Sequence, residues 1–299
     1  MENCNISYHN CRLCHRECGV KRDEGELGYC RSGSRPILAR ASLHMWEEPI
    51  ISGTRGSGTV FFSGCSLGCV YCQNRVISHE GRGIAVDARR ISEIMLRLEA
   101  DGAHNVNFVT PTHFAPTVIE ATAVARQSGL SVPIVYNTAS YETPSTVRAL
   151  EGSVDIYLPD LKYYRDKTAI ALSHAPDYRR TALLAIEEMV RQQPTPLIAD
   201  GLMKRGVIVR ILLLPGHLAE AKLNLKQIYS TYGDSVYISL MSQYTPMPGM
   251  APPLNRKVTN AEYSELLSYA SDLGVTHAFA QEISSSGEGY IPDFDYSGL

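Results

Sequence analysis

Three cysteines on one short stretch are the residues of this sequence best suited to metal chemistry. Cys65, Cys69 and Cys72 follow one another as C-x3-C-x2-C, and no fourth cysteine stands beside them. Thiolates are soft ligands that suit iron–sulfur clusters and zinc. Because a [4Fe-4S] cluster has four iron atoms, three ligands leave one iron open, just as a catalytic metal keeps a vacant position. The incomplete ligand set therefore indicates a reactive centre, and a structural zinc knuckle is the alternative.

A second group of cysteines near the N-terminus forms a complete ligand set. It consists of Cys11, Cys14, Cys18 and Cys30, spaced C-x2-C-x3-C-x11-C with glycines between them. Four thiolates can close a tetrahedral shell, and glycine permits the tight turns that such a shell needs. Zinc and a second iron–sulfur cluster both satisfy these ligands. Further candidates for one ligand position are Cys4, His9 and His15.

The composition is typical of a globular protein. The chain has 299 residues, 44% of them hydrophobic and 20% charged, and its net charge of -3 gives no electrostatic footprint for nucleic acid or an anionic membrane. No apolar run approaches the ~20 residues of a transmembrane helix, and the first ten residues lack the features of a signal peptide. We therefore expect a cytoplasmic protein. All eight cysteines precede residue 73, which in a reducing compartment favours metal binding over disulfides.

Apolar strands alternate with amphipathic helices along most of the chain. The predicted strands are 59–62, 106–109, 132–136, 154–158, 207–214, 236–240 and 275–279. The main predicted helices are 91–102, 116–129, 178–190, 218–229 and 259–270, the last opened by a capping box of Thr259 and Glu262. Strict alternation implies a parallel sheet, because each return to the same sheet edge requires a crossover helix. Residues 50–58, with three glycines, are predicted to be a flexible connection.

The cysteine stretch also carries a resemblance. Its spacing, the F-x-G-C sequence that leads into it, Tyr71 and Asn74 resemble the radical S-adenosylmethionine superfamily. Within that superfamily it is most similar to the activating enzymes of pyruvate formate-lyase, particularly the activase-like proteins with a cysteine-rich N-terminus. The resemblance implies a [4Fe-4S] cluster on Cys65, Cys69 and Cys72 that binds S-adenosylmethionine and releases a 5'-deoxyadenosyl radical after one-electron reduction. It also implies an electron donor of flavodoxin or ferredoxin type.

For the fold, the resemblance implies an α/β protein with an open, partial (β/α)6 TIM-like barrel. Seven predicted strands agree with this, since a complete barrel requires eight. We expect a cysteine-rich metal-binding extension over residues 1–56 and the radical core over 57–299. The tail from 281 to 295 is expected either to close the mouth of the barrel or to pack as an ordinary terminal segment.

In parallel α/β architecture the chemistry lies at the carboxyl ends of the strands, so polar residues there are candidates for the cofactor site. Asp160 and Lys162 are two apart and point the same way, and they match an Asp-x-Lys element of the activases. Arg210, inside an apolar run, would be costly unless it reached a carboxylate. The full set of candidate cofactor-binding residues is Tyr71, Asn74, Thr112, His113, Asn137, Thr138, Asp160, Lys162, Arg210 and His217.

Two of these positions depart from the activases. Thr110-Pro111-Thr112-His113 replaces their Gly-Gly-Glu-Pro element, and Asn137 replaces an acidic residue. The function we expect is that of an activase-like oxidoreductase in which the radical abstracts hydrogen from a substrate. By the resemblance, this substrate is a glycyl residue of a partner enzyme, and a small molecule or another peptide is the alternative. A non-catalytic zinc-binding interaction protein is the alternative of a different class.

Overall fold

The computed structural model describes residues 6–281 and 292–299, so the candidate ligand Cys4 and residues 282–291 of the tail lie outside the described residues. The strands are β1 (Ile37–His44), β2 (Ser57–Phe62), β3 (Ile84–Ala85), β4 (Val106–Val109), β5 (Ile134–Thr138), β6 (Ile156–Pro159), β7 (Leu197–Ala199), β8 (Leu202–Leu212), β9 (Tyr237–Met241) and β10 (Ala278–Ala280). The helices are α1 (Pro49–Ser52), α2 (Arg75–Ser78), α3 (Ala88–Ala100), α4 (Ala115–Gln127), α5 (Pro144–Ala149), α6 (Asp166–Ser173), α7 (Tyr178–Gln192), α8 (Leu218–Tyr232) and α9 (Asn260–Asp272). In the described part of the chain, none of these helices has the length and apolar character needed to cross a bilayer.

The parallel sheet is built in chain order. Strands β2, β4, β5, β6, β8, β9 and β10 lie side by side in that sequence, and each pairs with the next in parallel register. Strand β10 lies at one end of the sheet and the antiparallel strands β1 and β3 at the other, so the described sheet does not close on itself. This confirms the expected α/β fold with a partial TIM-like barrel.

The two faces of the sheet bury different sets of side chains. Tyr136 of β5 and Val207 of β8 belong to the large apolar core that includes the long helices. On the opposite face, Val135 and Ile208 form a second cluster with Ile51 of α1. Because side chains alternate along a strand, Asn137 and Arg210 share this second face with Val135 and Ile208. Ile51 of α1 therefore fills one end of the barrel interior, and the other end is left for polar residues.

The segment before β2 is more ordered than its composition suggests. Strand β1 pairs antiparallel with β2, so the sheet continues across the predicted boundary between residues 56 and 57. The expectation of a flexible connection at 50–58 is wrong, because α1 and the start of β2 occupy it. Gly53 has φ 50°, and an added Cβ there would lie 2.7 Å from Leu202 and 2.8 Å from His104. Glycine is favoured here by the positive φ, and the two side chains leave little room for a Cβ.

The described end of the tail packs along β1. Tyr296 N donates to Ala39 O at 3.1 Å, and Ala41 N donates to Ser297 O at 3.0 Å. The Phe294 ring meets the Phe61 ring edge-on at 5.5 Å between centroids. Residues 292–299 therefore cover the antiparallel end of the sheet, while the expected closure of the mouth falls partly on residues outside the described set.

Candidate active site

The cysteine loop begins where β2 ends, and all three of its thiols line one cavity of about 240 Å³. Each sulfur accepts a hydrogen bond, one from the loop itself and two from the ends of helices. Leu67 N donates to Cys65 Sγ at 3.3 Å, and Ser173 Oγ at the end of α6 donates to Cys69 Sγ at 2.8 Å. Ser78 Oγ at the end of α2 donates to Cys72 Sγ at 3.2 Å. Donors of this kind favour sulfur that carries negative charge, as a metal-bound thiolate does.

Burial disfavours the thiolate form as long as no metal is bound. It raises the pKa of Cys65, and it raises that of Cys69 to about 11 although the Lys162 ammonium pulls in the opposite direction. A thiol in such a place ionises when a metal supplies the compensating charge. The site therefore has the chemistry of a metal-binding loop rather than that of a free nucleophile.

Most of the predicted cofactor residues lie on this cavity. Those that line it are Tyr71, Asn74, Asn137, Thr138, Asp160, Lys162 and Arg210. They come from the cysteine loop and from the carboxyl ends of β5, β6 and β8. The parallel strand order accounts for their convergence, since these ends meet at one edge of the sheet.

A buried ionic network forms the floor of the cavity. Asp160 accepts from Lys162 Nζ at 2.6 Å and from Arg210 Nε at 2.9 Å, which confirms that Arg210 reaches a carboxylate. Arg210 also binds Asn137 and, at 3.3 Å, Glu47. Burial alone would raise the pKa of Asp160, but the two cations hold it below its usual value. Asp160 is therefore an anion that fixes the positions of Lys162 and Arg210.

Three predicted residues are not brought to this cavity. Thr112 donates to Glu142, and His113 is 1% exposed with its Nε2 bonded to Ser63 O at 2.8 Å. Burial lowers the pKa of His113 to about 3, so its ring is neutral. His217 precedes α8 and lies 3.6 Å from Glu220. Thr110 has a left-handed backbone (φ 57°), and a 3-10 turn follows over Thr112–Phe114. This path of the backbone carries the Thr112 and His113 side chains into the core. As placed, these three do not line the cavity, and their role at the cofactor stays a prediction.

Two acidic residues of the cavity were missed by the sequence reasoning. Glu47 and Glu48 stand between β1 and α1, and both line the cavity although the N-terminal segment was expected to bind metal only. Glu47 accepts from Asn107 at 2.9 Å and pairs with Arg210. Burial raises the pKa of both carboxyls, and Arg210 opposes this effect. The available signal was a pair of glutamates directly before Pro49, after an apolar run of strand character.

A chain of buried hydroxyls, also unforeseen, connects the cavity wall with a cysteine sulfur. Tyr71 OH is hydrogen-bonded to Tyr163 OH, which is hydrogen-bonded to Ser173 Oγ, the donor to Cys69. Tyr163 and Ser173 are almost completely buried. Tyr71 thus contributes to the site through Tyr163 and Ser173 as well as through its place on the cavity wall.

The N-terminal cysteines pack beside the cysteine loop. Burial raises the pKa of Cys14 to about 12. Cys11 N donates to Val20 O at 3.1 Å and Gly19 N donates to Cys11 O at 3.0 Å, so the chain between Cys11 and Val20, which carries Cys14 and Cys18, folds back on itself. Arg16 Nε donates to Ser66 O at 3.0 Å, and an added Cβ on Gly64 would lie 2.9 Å from Cys30 O. The N-terminal segment therefore packs against the loop that carries Cys65 and stabilises it.

Over residues 6–281 and 292–299, no three His, Cys, Asp or Glu side chains converge as a ligand group for a metal ion. The lack of convergence has a different meaning for the N-terminal cysteines and for the cysteine loop. Zinc requires four ligands directed at one point, and the N-terminal thiols do not form such a shell as placed. In a [4Fe-4S] cluster each cysteine binds a different iron, so Cys65, Cys69 and Cys72 need not converge on one point. Their softness, shared cavity and hydrogen-bond donors fit such a cluster.

Comparisons with known proteins bear on the family of this chain. The sequence profile of the Radical SAM superfamily matches residues 59–220, which include the cysteine loop, Asp160, Lys162 and Arg210. Uncharacterized protein MJ0674 of Methanocaldococcus jannaschii is 28% identical over 278 residues, covering 88% of this chain and 75% of that protein.

Among solved structures, Streptococcus suis SuiB bound to S-adenosylmethionine is similar with a TM-score of 0.48 and 12% identity, covering 73% of this chain and 48% of SuiB. A domain of pyruvate-formate lyase-activating enzyme from Bacteroides vulgatus has a TM-score of 0.45 and 15% identity, covering 60% of this chain and all of that domain. The chain thus spans about half the length of SuiB. At these scores the likeness does not bear on activity.

Proposed function

The chain belongs to the Radical SAM superfamily, and from this premise we propose that it is an enzyme that abstracts hydrogen from a substrate held in the cavity beside Cys65, Cys69 and Cys72. The observation that carries the proposal is the placement of three thiols and a buried ionic network on one cavity. The three cysteines would hold a [4Fe-4S] cluster. When bound, the cluster and S-adenosylmethionine supply a one-electron reductive cleavage that generates the hydrogen-abstracting radical.

The residues of the floor orient the charged groups of the cofactor. Lys162 has three N–H donors, and its bond to Asp160 leaves donors for a carboxylate. Asp160, which Lys162 and Arg210 keep ionised, accepts from a donor group of the ligand. Asn74 lines the cavity with a buried Oδ1 that has no partner among the described residues, and it offers a second acceptor. The apolar cluster around Ile51 below the floor excludes water from one side.

The substrate is proposed from the resemblance to the activating enzymes of pyruvate formate-lyase. It is a glycyl residue of a partner enzyme, from whose Cα the hydrogen is taken, and the electron comes from a flavodoxin- or ferredoxin-type donor. The competing substrate is a small molecule or another peptide. A non-catalytic protein that binds only zinc is the competing function, and it assigns no role to the ionic floor.

For the N-terminal cysteines we propose a separate structural metal, either zinc or a second iron–sulfur cluster. What supports it is the C-x2-C-x3-C-x11-C spacing together with the backbone hydrogen bonds between Cys11 and Val20 and between Gly19 and Cys11, which fold this stretch back on itself. Binding would draw the four sulfurs together and stiffen the segment that braces the cysteine loop. The choice of metal follows from direct metal analysis of the purified protein.

Anaerobic reconstitution with iron and sulfide tests the proposed function. We expect a brown protein in which Cys65→Ala loses the thiolate-to-iron absorption of the cluster on the cysteine loop and the iron that this cluster contains. Cys18→Ala is the control, since it leaves the loop intact and should keep the absorption of that cluster whether the N-terminal cysteines bind zinc or a second cluster. A colourless protein that retains only zinc would favour the non-catalytic alternative.

A further inference from the structure

The cavity presents hydrogen-bond acceptors that no donor among the described residues satisfies. Among the described residues that line it, the buried side-chain atoms without a partner are Glu48 Oε2, Asn74 Oδ1, Thr245 Oγ1 and Gln281 Oε1. Glu48 is the carboxylate of this set; burial raises its pKa, and its ionised form, which a bound cation would favour, can only accept. It is 7% exposed, so bulk water does not compensate its oxygen. The cavity is therefore built for a ligand that donates.

The charges on the cavity point to a ligand with a positive group. Within the described lining, the carboxylates are Glu47, Glu48 and Asp160, and the cations are Lys162 and Arg210. Lys162 is paired with Asp160, and Arg210 is paired with Asp160 and Glu47. Burial lowers the pKa of His44, so its ring adds no charge. With all five groups ionised, the described lining carries one more negative than positive charge, and Glu48 is the carboxylate without an ion pair to a described side chain. Arg210 acts on Glu48 from farther away than an ion pair, and burial still raises the pKa of Glu48, so a second cation beside it would favour its ionised form.

The position of Glu48 separates it from the cysteine loop. It directly precedes α1, which packs against β8, and the charges that act on it are those of Arg210 and Glu47. Lys162, in contrast, interacts electrostatically with Cys69. Glu48 also lies outside residues 59–220, the part of the chain that matches the superfamily. A residue so placed is available to the substrate rather than to groups held beside the cysteines.

We infer that Glu48 binds a primary ammonium group of the substrate on the floor of the cavity. The ammonium brings both an N–H donor for Oε2 and the missing positive charge, and such charge-assisted hydrogen bonds are the strong ones. The inference rests on the proposed function, which makes this cavity the place where substrate binds. It assigns the substrate to amine-bearing molecules or to peptide segments that carry a lysine or a free N-terminus.

Binding of three probes to the reconstituted, unreduced full chain tests the inference without turnover. The probes are n-butylammonium, n-butanol and butyltrimethylammonium, followed by ligand-observed NMR at a saturating concentration of S-adenosylmethionine. We expect n-butylammonium to bind at least about tenfold more tightly than the other two, which lack either the charge or the N–H donor. Equal binding of the three, or no binding of the ammonium, overturns the inference.

Two variants assign the preference to the side chain. Glu48→Gln is expected to lose the preference for n-butylammonium, and the matched control Glu265→Gln, whose side chain is 61% exposed, is expected to keep it. Persistence of the preference in Glu48→Gln contradicts the inference. So does competition between S-adenosylmethionine and n-butylammonium, which would assign Glu48 to the cofactor's amino group. Failure of the proposed function is seen separately, as absence of reductive cleavage by the wild-type protein.

Discussion

Arg210 connects the carboxylates on the floor of the cavity. Its removal should lower the free energy of unfolding far more than removal of an exposed arginine that also pairs with two carboxylates. The Arg210 side chain is 11% exposed and pairs with Asp160 and Glu47, whose side chains are 18% and 9% exposed. Truncating one member of a buried ion pair costs about 3–5 kcal/mol, because the remaining charge is left buried without compensation. We therefore expect Arg210→Met to lower the free energy of unfolding by about 3 kcal/mol or more.

Arg191 is the matched control. It also pairs with two carboxylates, those of Glu151 and Glu188, but its side chain is 50% exposed. Water screens such pairs, so Arg191→Met should cost about 1 kcal/mol or less. Urea unfolding followed by circular dichroism measures both variants. If Arg210→Met lowered the free energy of unfolding no more than Arg191→Met does, the floor would not be the tightly coupled network described above.

Three further predictions concern the surroundings of the cysteine loop. Ser173→Ala removes the donor at 2.8 Å from Cys69 Sγ and should make the midpoint potential of the reconstituted protein more negative than that of wild type in an EPR-monitored titration; an unchanged potential would contradict the role of the hydroxyl chain. Despite burial, hydrogen bonds from His217, from Thr168 and from backbone N–H groups hold the pKa of Glu220 at about 2. Because this pKa is depressed, the stability it provides, about 3 kcal/mol, is present above pH ~4.5 and is lost as the pH falls towards 2. Wild type should therefore lose more stability than Glu220→Gln over that range, and parallel losses would refute the assignment. Cys14→Ser should reduce the metal bound per chain and leave the thiolate-to-iron absorption of the cysteine loop in place. Loss of both the metal and this absorption would show that the N-terminal cysteines and the loop cysteines form one site.

The order of the parallel sheet could be predicted because it depends on local patterns. Each strand of the parallel sheet is visible in the sequence, and so are the long helices, although the short α5 between β5 and β6 was not predicted. One crossover after another leaves little freedom in how the strands are arranged. The same reasoning predicted that Arg210 would reach a carboxylate, since an unpaired guanidinium in that run would be too costly. These inferences needed only a residue's own neighbours in the chain.

The parts that could not be predicted depend on contacts between distant segments. Glu47 reaches Arg210 across 163 positions of sequence, and nothing in its local pattern indicates which way β1 returns along the sheet. His113 follows a strand as an active-site residue would, yet the turn after Thr110 directs it into the core. Nothing in the sequence around Ser173 indicates that α6 places its hydroxyl group against Cys69 Sγ.

The central claim is that three cysteines leave one metal position open to S-adenosylmethionine inside this cavity. Its most direct measurement is the formation of 5'-deoxyadenosine by the reconstituted protein after reduction with dithionite in the presence of S-adenosylmethionine. We expect 5'-deoxyadenosine from wild type and none from Cys69→Ala. Absence of 5'-deoxyadenosine from a wild-type protein that holds iron and sulfide and has been shown to be reduced would contradict the claim.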